Sequence, residues 1–156
     1  MMNKLSHPFM TLPELPEAGK PLLSTLMVEP LMPLTALQGI VASYAKIIDD
    51  LARKDRRVNS VLGKAIAKVL ATVLARVDDR IGDKDYRVIQ AAVRYFVVED
   101  DGGGSDFASI DGLVDDARVV NAMLRWLGRD ELMLDVGARP ERPRTGIFGG
   151  AAADRR

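Results

Sequence analysis

From Leu34 onward, apolar residues recur at steps of three and four, so that Leu37, Ile40, Val41, Tyr44, Ile47, Ile48 and Leu51 share one face of a helix reaching about Lys54. The polar string "RKDRR" interrupts the pattern, and Asp55 or Asn59 is suited to cap the next helix. A second series, from Val58 through Leu62, Ile66, Leu70, Val73, Leu74 and Val77 to Ile81, predicts a long helix closed by Gly82. Its apolar face is wide enough to need neighbours on two sides, which predicts a central position. Asp83 or Asp85 opens a third helix with Tyr86, Ile89, Ala92, Val93 and Phe96 as its buried stripe. A fourth begins at Ser109 or Asp111, turns Leu113, Val114, Ala117, Val120, Met123, Leu124 and Leu127 inward, and stops at Gly128, with Trp126 on the edge of the stripe. "RDELML" adds one short turn. No strand-like alternation and no internal repeat appears, so the pattern predicts an all-α fold, a small four-helix bundle over residues 34–134.

The flanks follow other rules. Residues 1–33 carry prolines at 8, 13, 16, 21, 30 and 33, too closely spaced for a long helix, and are expected to be extended or broken into short turns. They also hold Phe9 and five of the seven methionines, including Met10, Met27 and Met32, which is too apolar for an ordinary disordered tail. Two roles fit: wrapping the chain's own helices, or docking on a partner through adaptable methionine contacts. Residues 135–156, rich in Gly, Ala, Pro and Arg, are expected to form a flexible tail in which only Ile147 and Phe148 could serve as a docking peptide.

Composition narrows the chemistry. A chain of 156 residues, 47% of them apolar, supports one domain with a real core. The chain has no cysteine, which removes disulfides, thiolate metal ligands and thiol nucleophiles and points to a reducing compartment. Its single histidine, His7, lies in the proline-rich flank, so a histidine-based triad or a histidine metal cluster is not expected. No secretory signal or membrane-spanning run is visible, giving the expectation of a cytoplasmic protein, with peripheral membrane contact as its extension.

Charge is balanced at 22 basic and 22 acidic residues but unevenly placed. Residues 34–82 hold 9 basic and 5 acidic side chains, and residues 83–134 hold 6 basic and 11 acidic. Within the basic part, Lys64, Lys68, Arg76 and Arg80 form a row at steps of four, with Thr72 completing it. Such a row is either a solvated face or a contact for an acidic protein or an anionic membrane. Balanced net charge and the lack of interleaved aromatic residues disfavour nucleic acid.

The acidic part concentrates in "VVEDDGGGSDFASIDGLVDD", where Glu99, Asp100, Asp101, Asp106, Asp111, Asp115 and Asp116 supply seven carboxylates in eighteen positions. So dense a set needs water, cations or a metal between its members. As a metal site, Asp101, Asp106, Asp115 and Asp116 would offer oxygen ligands to Mg²⁺ or Ca²⁺, although the spacing does not make an EF-hand loop and the glycines do not make a phosphate-binding loop. As structure, Gly102 to Gly104 turn the chain, and the later aspartates favour the start of the fourth helix. The dipole does not explain Glu99 to Asp101, which crowd a helix carboxyl end.

Residues 86–127 resemble the YkvA-like family, a bacterial helical domain of unknown function. Tyr95 and Phe96 match its aromatic pair, Asp101 its first aspartate, Asp106 and Phe107 the second aspartate and following aromatic, Gly112 its glycine, and Asp115 and Asp116 its closing pair. Glu99 and Ser105 stand where the family has prolines, and the loop is one residue longer. The resemblance implies a helical hairpin with an aspartate-decorated turn and no established activity.

The expected function is a non-enzymatic helical adaptor or assembly protein with no cofactor, engaging a protein partner or a second copy of itself. Its contact would be made by the amino-terminal segment, the basic row or the acidic turn. The alternative is an Mg²⁺-dependent hydrolase or phosphotransfer enzyme in which Asp101, Asp106 and Asp115 are ligands and Asp116 is a base. Peripheral attachment to a membrane is a third reading.

Overall fold

In the computed structural model, which describes residues 7–54, 60–97 and 110–136, helix α4 (Asp83–Val97) is enclosed on nearly every side. Six consecutive residues from Val88 to Val93 are buried, as are Tyr95 and Phe96. Around it lie α1 (Lys20–Met27), α2 (Leu34–Lys54) and α5 (Ile110–Leu127), while α3 (Ser60–Ala75) packs on α2 and α5. The all-α bundle expected from periodicity is present, and the described residues contain no strand.

The centre of the bundle differs from the expectation that the second predicted helix would be central. That helix, α3, keeps an outward face on which Val61 is 80% exposed. A fully buried helix is normally apolar all round, but α4 carries Arg87, Gln90 and Arg94 on the side that its periodicity marks as solvent-facing. The amino-terminal segment covers that side.

This segment is neither free nor wholly extended. Two 3-10 turns, Pro8–Thr11 and Glu17–Gly19, lead into α1. Pro21 sits in the first turn of α1, where a missing N–H costs no hydrogen bond, and Pro30 falls beyond its end. The proline spacing therefore permits this helix of eight residues, whose Leu23, Leu26 and Met27 are buried. Phe9 is fully buried, worth about 2–3 kcal/mol in area removed from water. The wrapping alternative is the one realised for residues 7–33.

Polar groups on α4 hold the segment by its backbone. Gln90 donates from Nε2 to the Pro30 carbonyl at 2.9 Å and accepts from the Met32 N–H at 2.7 Å. The Tyr86 hydroxyl donates to the Met32 carbonyl at 2.5 Å, and Arg87 donates to the carbonyls of Met27 and Glu29 at 3.0 and 2.8 Å. Arg94 pairs with the Glu29 carboxylate at 3.1 Å. Each bond satisfies a backbone or side-chain group whose burial would otherwise be costly.

Helix α5 ends as predicted at Gly128, which takes φ 74°. Its N–H donates to the Arg125 carbonyl at 3.1 Å and the Arg129 N–H to the Leu124 carbonyl at 2.8 Å, the paired bonds of a Schellman ending. The short turn expected from "RDELML" is the 3-10 turn Asp130–Leu132. The chain then folds back, and Asn121 of α5 brackets Leu134, donating to its carbonyl at 2.8 Å and accepting from its N–H at 2.7 Å. The caps expected at Asp55 and Asn59, the helix start at Ser109, and Ile147 and Phe148 lie outside the described residues.

Candidate functional site

The predicted basic row does not exist as one line. Helix α3 stops at Ala75, six residues before Ile81, because the backbone tightens and then turns. Arg76 N–H donates to the Val73 carbonyl at 3.0 Å and Val77 N–H to the Leu74 carbonyl at 3.2 Å, a 3-10 ending. Asp78 then takes the Arg80 N–H on its carboxylate at 2.9 Å, a side-chain bond that competes with helix continuation. Val77 and Ile81 still pack against the core from this turn, which is why the apolar rhythm continues after the helix has ended.

The row is thereby divided between two clefts. Lys64 and Lys68 stay on α3 and border a shallow apolar groove of about 440 Å³ between α2 and α3, floored by Val41, Ala42, Ala45, Ala67 and Ala71. Lys64 is engaged there, 2.8 Å from the Asp49 carboxylate. That hydrogen bond holds the Asp49 carboxyl below its usual range.

Arg76 and Arg80 border a second cleft, of about 350 Å³, at the far end of α3. Arg129, brought in by the Schellman turn after α5, joins them. Val73, Val77, Ile81, Ile89, Leu127 and Leu132 supply the apolar lining. Arg80 reaches the Asp78 carboxylate at 3.3 Å and Arg129 the Glu131 carboxylate at 3.6 Å. No ion pair engages Arg76 among the described residues. An apolar lining bordered by several arginines suits a ligand with both carboxylate and hydrocarbon character.

The amino-terminal candidates face inward. Phe9 and Met27 are buried, and Met10 and Met32 are half-buried against the core. Phe9 meets Trp126 edge-on at 6.3 Å between ring centroids, and the His7 ring lies 4.9 Å from the same indole, whose Nε1 donates to Asp85 at 2.9 Å. In this fold these apolar side chains serve the chain's own core.

The acidic candidates divide differently. Asp101 and Asp106, with Glu99 and Asp100, lie outside the described residues. Asp115 and Asp116 are the sixth and seventh residues of α5, past the first turn over which the helix dipole acts. Asp115 is half-buried and Asp116 is only 1% exposed. The start of a helix therefore does not account for Asp116. A carboxylate this deep needs a compensating partner, and Asp116 has one. Among the described residues no three His, Asp or Glu side chains gather as a metal-holding group, and no described helix is long and apolar enough to cross a membrane.

The sequence reading missed Arg129, Gln90 and Asn121. Arg129 had a signal, since a residue just after a helix-ending glycine is turned back along its own helix. No family model, curated protein or solved structure matches the chain.

Proposed function

We propose that the chain is a non-enzymatic helical interaction protein, an adaptor or assembly component that binds a protein partner through its outward basic surface. The observation that carries this reading is the division of labour among the candidate residues. Phe9 and Met27 are consumed inside, whereas Lys64, Lys68, Arg76 and Arg80 all remain exposed beside apolar clefts. Apolar lining supplies affinity on contact and the surrounding cations supply orientation and partner choice. A cytoplasmic setting fits a cysteine-free chain. Kinship with YkvA-like domains, which have no established activity, belongs to the same proposal.

The test is affinity purification of the full chain from its native cell with mass spectrometry, alongside a variant with Lys64, Lys68, Arg76 and Arg80 all changed to Glu. A partner recovered with the wild type and lost with the variant supports the reading. Equal recovery with both overturns it.

The burial of Asp116 favours one second reading, the Mg²⁺-dependent hydrolase or phosphotransfer enzyme, because carboxylate oxygens shielded from water are suitable ligands for a hard cation. Calorimetric titration with Mg²⁺, Mn²⁺ and Ca²⁺ decides it. Heat that disappears in Asp106→Ala and Asp115→Ala supports this reading, and heat that is absent or unchanged in those variants removes it.

A further inference from the structure

We propose that the arginine-bordered cleft at the end of α3 receives an acidic partner segment carrying an apolar anchor side chain. The proposal rests on the interaction reading above and specifies the partner's chemistry and its seat. Three arginines border this cleft from two distant stretches of chain, Arg76 and Arg80 after α3 and Arg129 after α5. Their meeting there requires both helix endings, the Asp78 turn and the Gly128 turn, to place them at the same end of the bundle.

Like charges drawn around an apolar lining repel unless anions lie among them. Asp78 and Glu131 provide two within the chain, but they pair with Arg80 and Arg129. Among the described residues no ion pair engages Arg76, so it can take an incoming carboxylate, which a guanidinium grips with two parallel hydrogen bonds.

Size limits the occupant. About 350 Å³ lies near the lower end of ligand-pocket volumes. It holds one or two side chains and not the length of a helix. The cleft therefore suits a short extended or turn segment, with one apolar residue on Val73, Ile89 and Leu127 and acidic residues on either side. The α2–α3 groove is the weaker seat for such a segment, because its bordering cations are the lysines Lys64 and Lys68, which cannot grip a carboxylate with two parallel hydrogen bonds, and Lys64 is already committed to Asp49. Nucleic acid fits poorly, since no aromatic side chain lines the cleft to stack a base.

The probe is a capped hexapeptide, Asp-Glu-Leu-Leu-Asp-Glu, titrated into the full chain while methyl resonances are followed by NMR. Saturating shifts at Val73, Ile89 and Leu132 are expected, with a dissociation constant at or below about 1 mM. Affinity should fall at least tenfold in Arg76→Glu/Arg80→Glu, and equally when the two leucines of the peptide become serines. Absence of saturation, or equal binding by either control, overturns the proposal. Binding of octanoate in the cleft without binding of the peptide also overturns it, and assigns the site to small amphiphilic acids. If the peptide fails while partner recovery is still lost in the variant with all four basic residues changed, the seat is wrong and the interaction reading stands. If the peptide binds as expected while partner recovery ignores the basic residues, the cleft chemistry stands and the interaction reading falls.

Discussion

Gln90 and Met32 are fifty-eight residues apart in the chain and joined by a side-chain amide that stands in for backbone, the Met32 N–H donating to the Gln90 side-chain carbonyl at 2.7 Å. The other half of the same amide binds the Pro30 carbonyl at 2.9 Å, so one buried side chain satisfies the backbone of the segment entering α2. Gln90→Leu keeps the approximate volume and removes both bonds, leaving a donor and an acceptor unsatisfied beneath the segment. We expect a loss of about 2–4 kcal/mol in urea unfolding. The segment around residues 28–33 should also become an early cleavage site in limited proteolysis. A variant as stable and as resistant as the wild type would show that the clamp is dispensable.

Gly19 tests how closely the same amino-terminal segment packs on α4 at Tyr95. A Cβ placed there would lie 2.0 Å from the Tyr95 hydroxyl oxygen and 2.9 Å from the ring carbon bearing it. The backbone at Gly19, with φ −89° and ψ −8°, is open to any residue, so the requirement for glycine is steric alone. Gly19→Ala should cost about 1–3 kcal/mol, whereas Gly39→Ala, in the interior of α2 with open space around it, should stabilise by about 0.5–1 kcal/mol. Opposite signs from the same chemical change, measured by thermal or urea unfolding, are the expected result.

The two glycines also illustrate what could be read from the chain. The four long helices were legible because Leu37, Ile66, Ile89 and Val120 belong to stripes whose period is set by their own helices. The end of α3 was not, because Val77 and Ile81 preserve the apolar rhythm through a turn set by the Asp78 side chain. The centrality of α4 was hidden for a related reason. Gln90 is a polar residue on a polar-looking face until Pro30 and Met32 cover it, and that pairing has no local signature. Of the candidate site, Arg76 and Arg80 were visible as cations. Their meeting with Arg129 depends on two helix endings that periodicity leaves open.

His7 gives the amino-terminal segment a dependence on pH. Its Nδ1 accepts the Phe9 N–H at 3.0 Å, capping the first 3-10 turn, and that bond requires the imidazole to be unprotonated at Nδ1. Desolvation, followed by the nearby Lys84 charge, lowers its pKa from the ordinary 6.5, while Asp85 opposes and Arg87 adds to the lowering. A depressed pKa means that the unfolded chain binds the proton first. The stabilisation is therefore complete above 6.5 and is lost as pH falls toward the folded value. Unfolding midpoints should decline between about pH 7 and pH 5 in the wild type, and His7→Phe should be less stable throughout but flat over that interval. An equal slope in both proteins would assign the effect to other groups.

At the opposite pH extreme, Tyr86 makes a complementary prediction. Burial raises its pKa above the ordinary 10.0, because the charged phenolate would be poorly solvated there, and ionisation would also remove the proton donated to the Met32 carbonyl. The sign is reversed from that of His7: the stabilisation is full below 10.0 and declines as pH rises through the folded value. Tyr86→Phe should remove that alkaline decline and lower stability at neutral pH by about 0.5–1.5 kcal/mol, the net worth of one hydrogen bond. Parallel pH titrations of unfolding midpoints make the comparison, and an alkaline decline retained in the variant would contradict it.

Asn121 permits the sharpest test of a side chain holding backbone, because its two bonds to Leu134 run in opposite directions. Asn121→Asp preserves shape and keeps the acceptor for the Leu134 N–H, but the oxygen replacing Nδ2 faces the Leu134 carbonyl. A protonated carboxyl can still donate to that carbonyl, whereas an ionised one cannot and is buried besides. The variant's carboxyl should therefore titrate well above the usual value of about 3.9. Its stability deficit relative to wild type should be small near pH 4 and grow as pH rises toward 7, because the unfolded chain ionises while the folded one resists. Asn121→Ala, which loses both bonds and cannot titrate, should show a deficit of about 1–3 kcal/mol that does not vary over the same range. If the two variants instead run parallel with pH, the carboxyl has escaped to solvent and the bracket at Leu134 has opened.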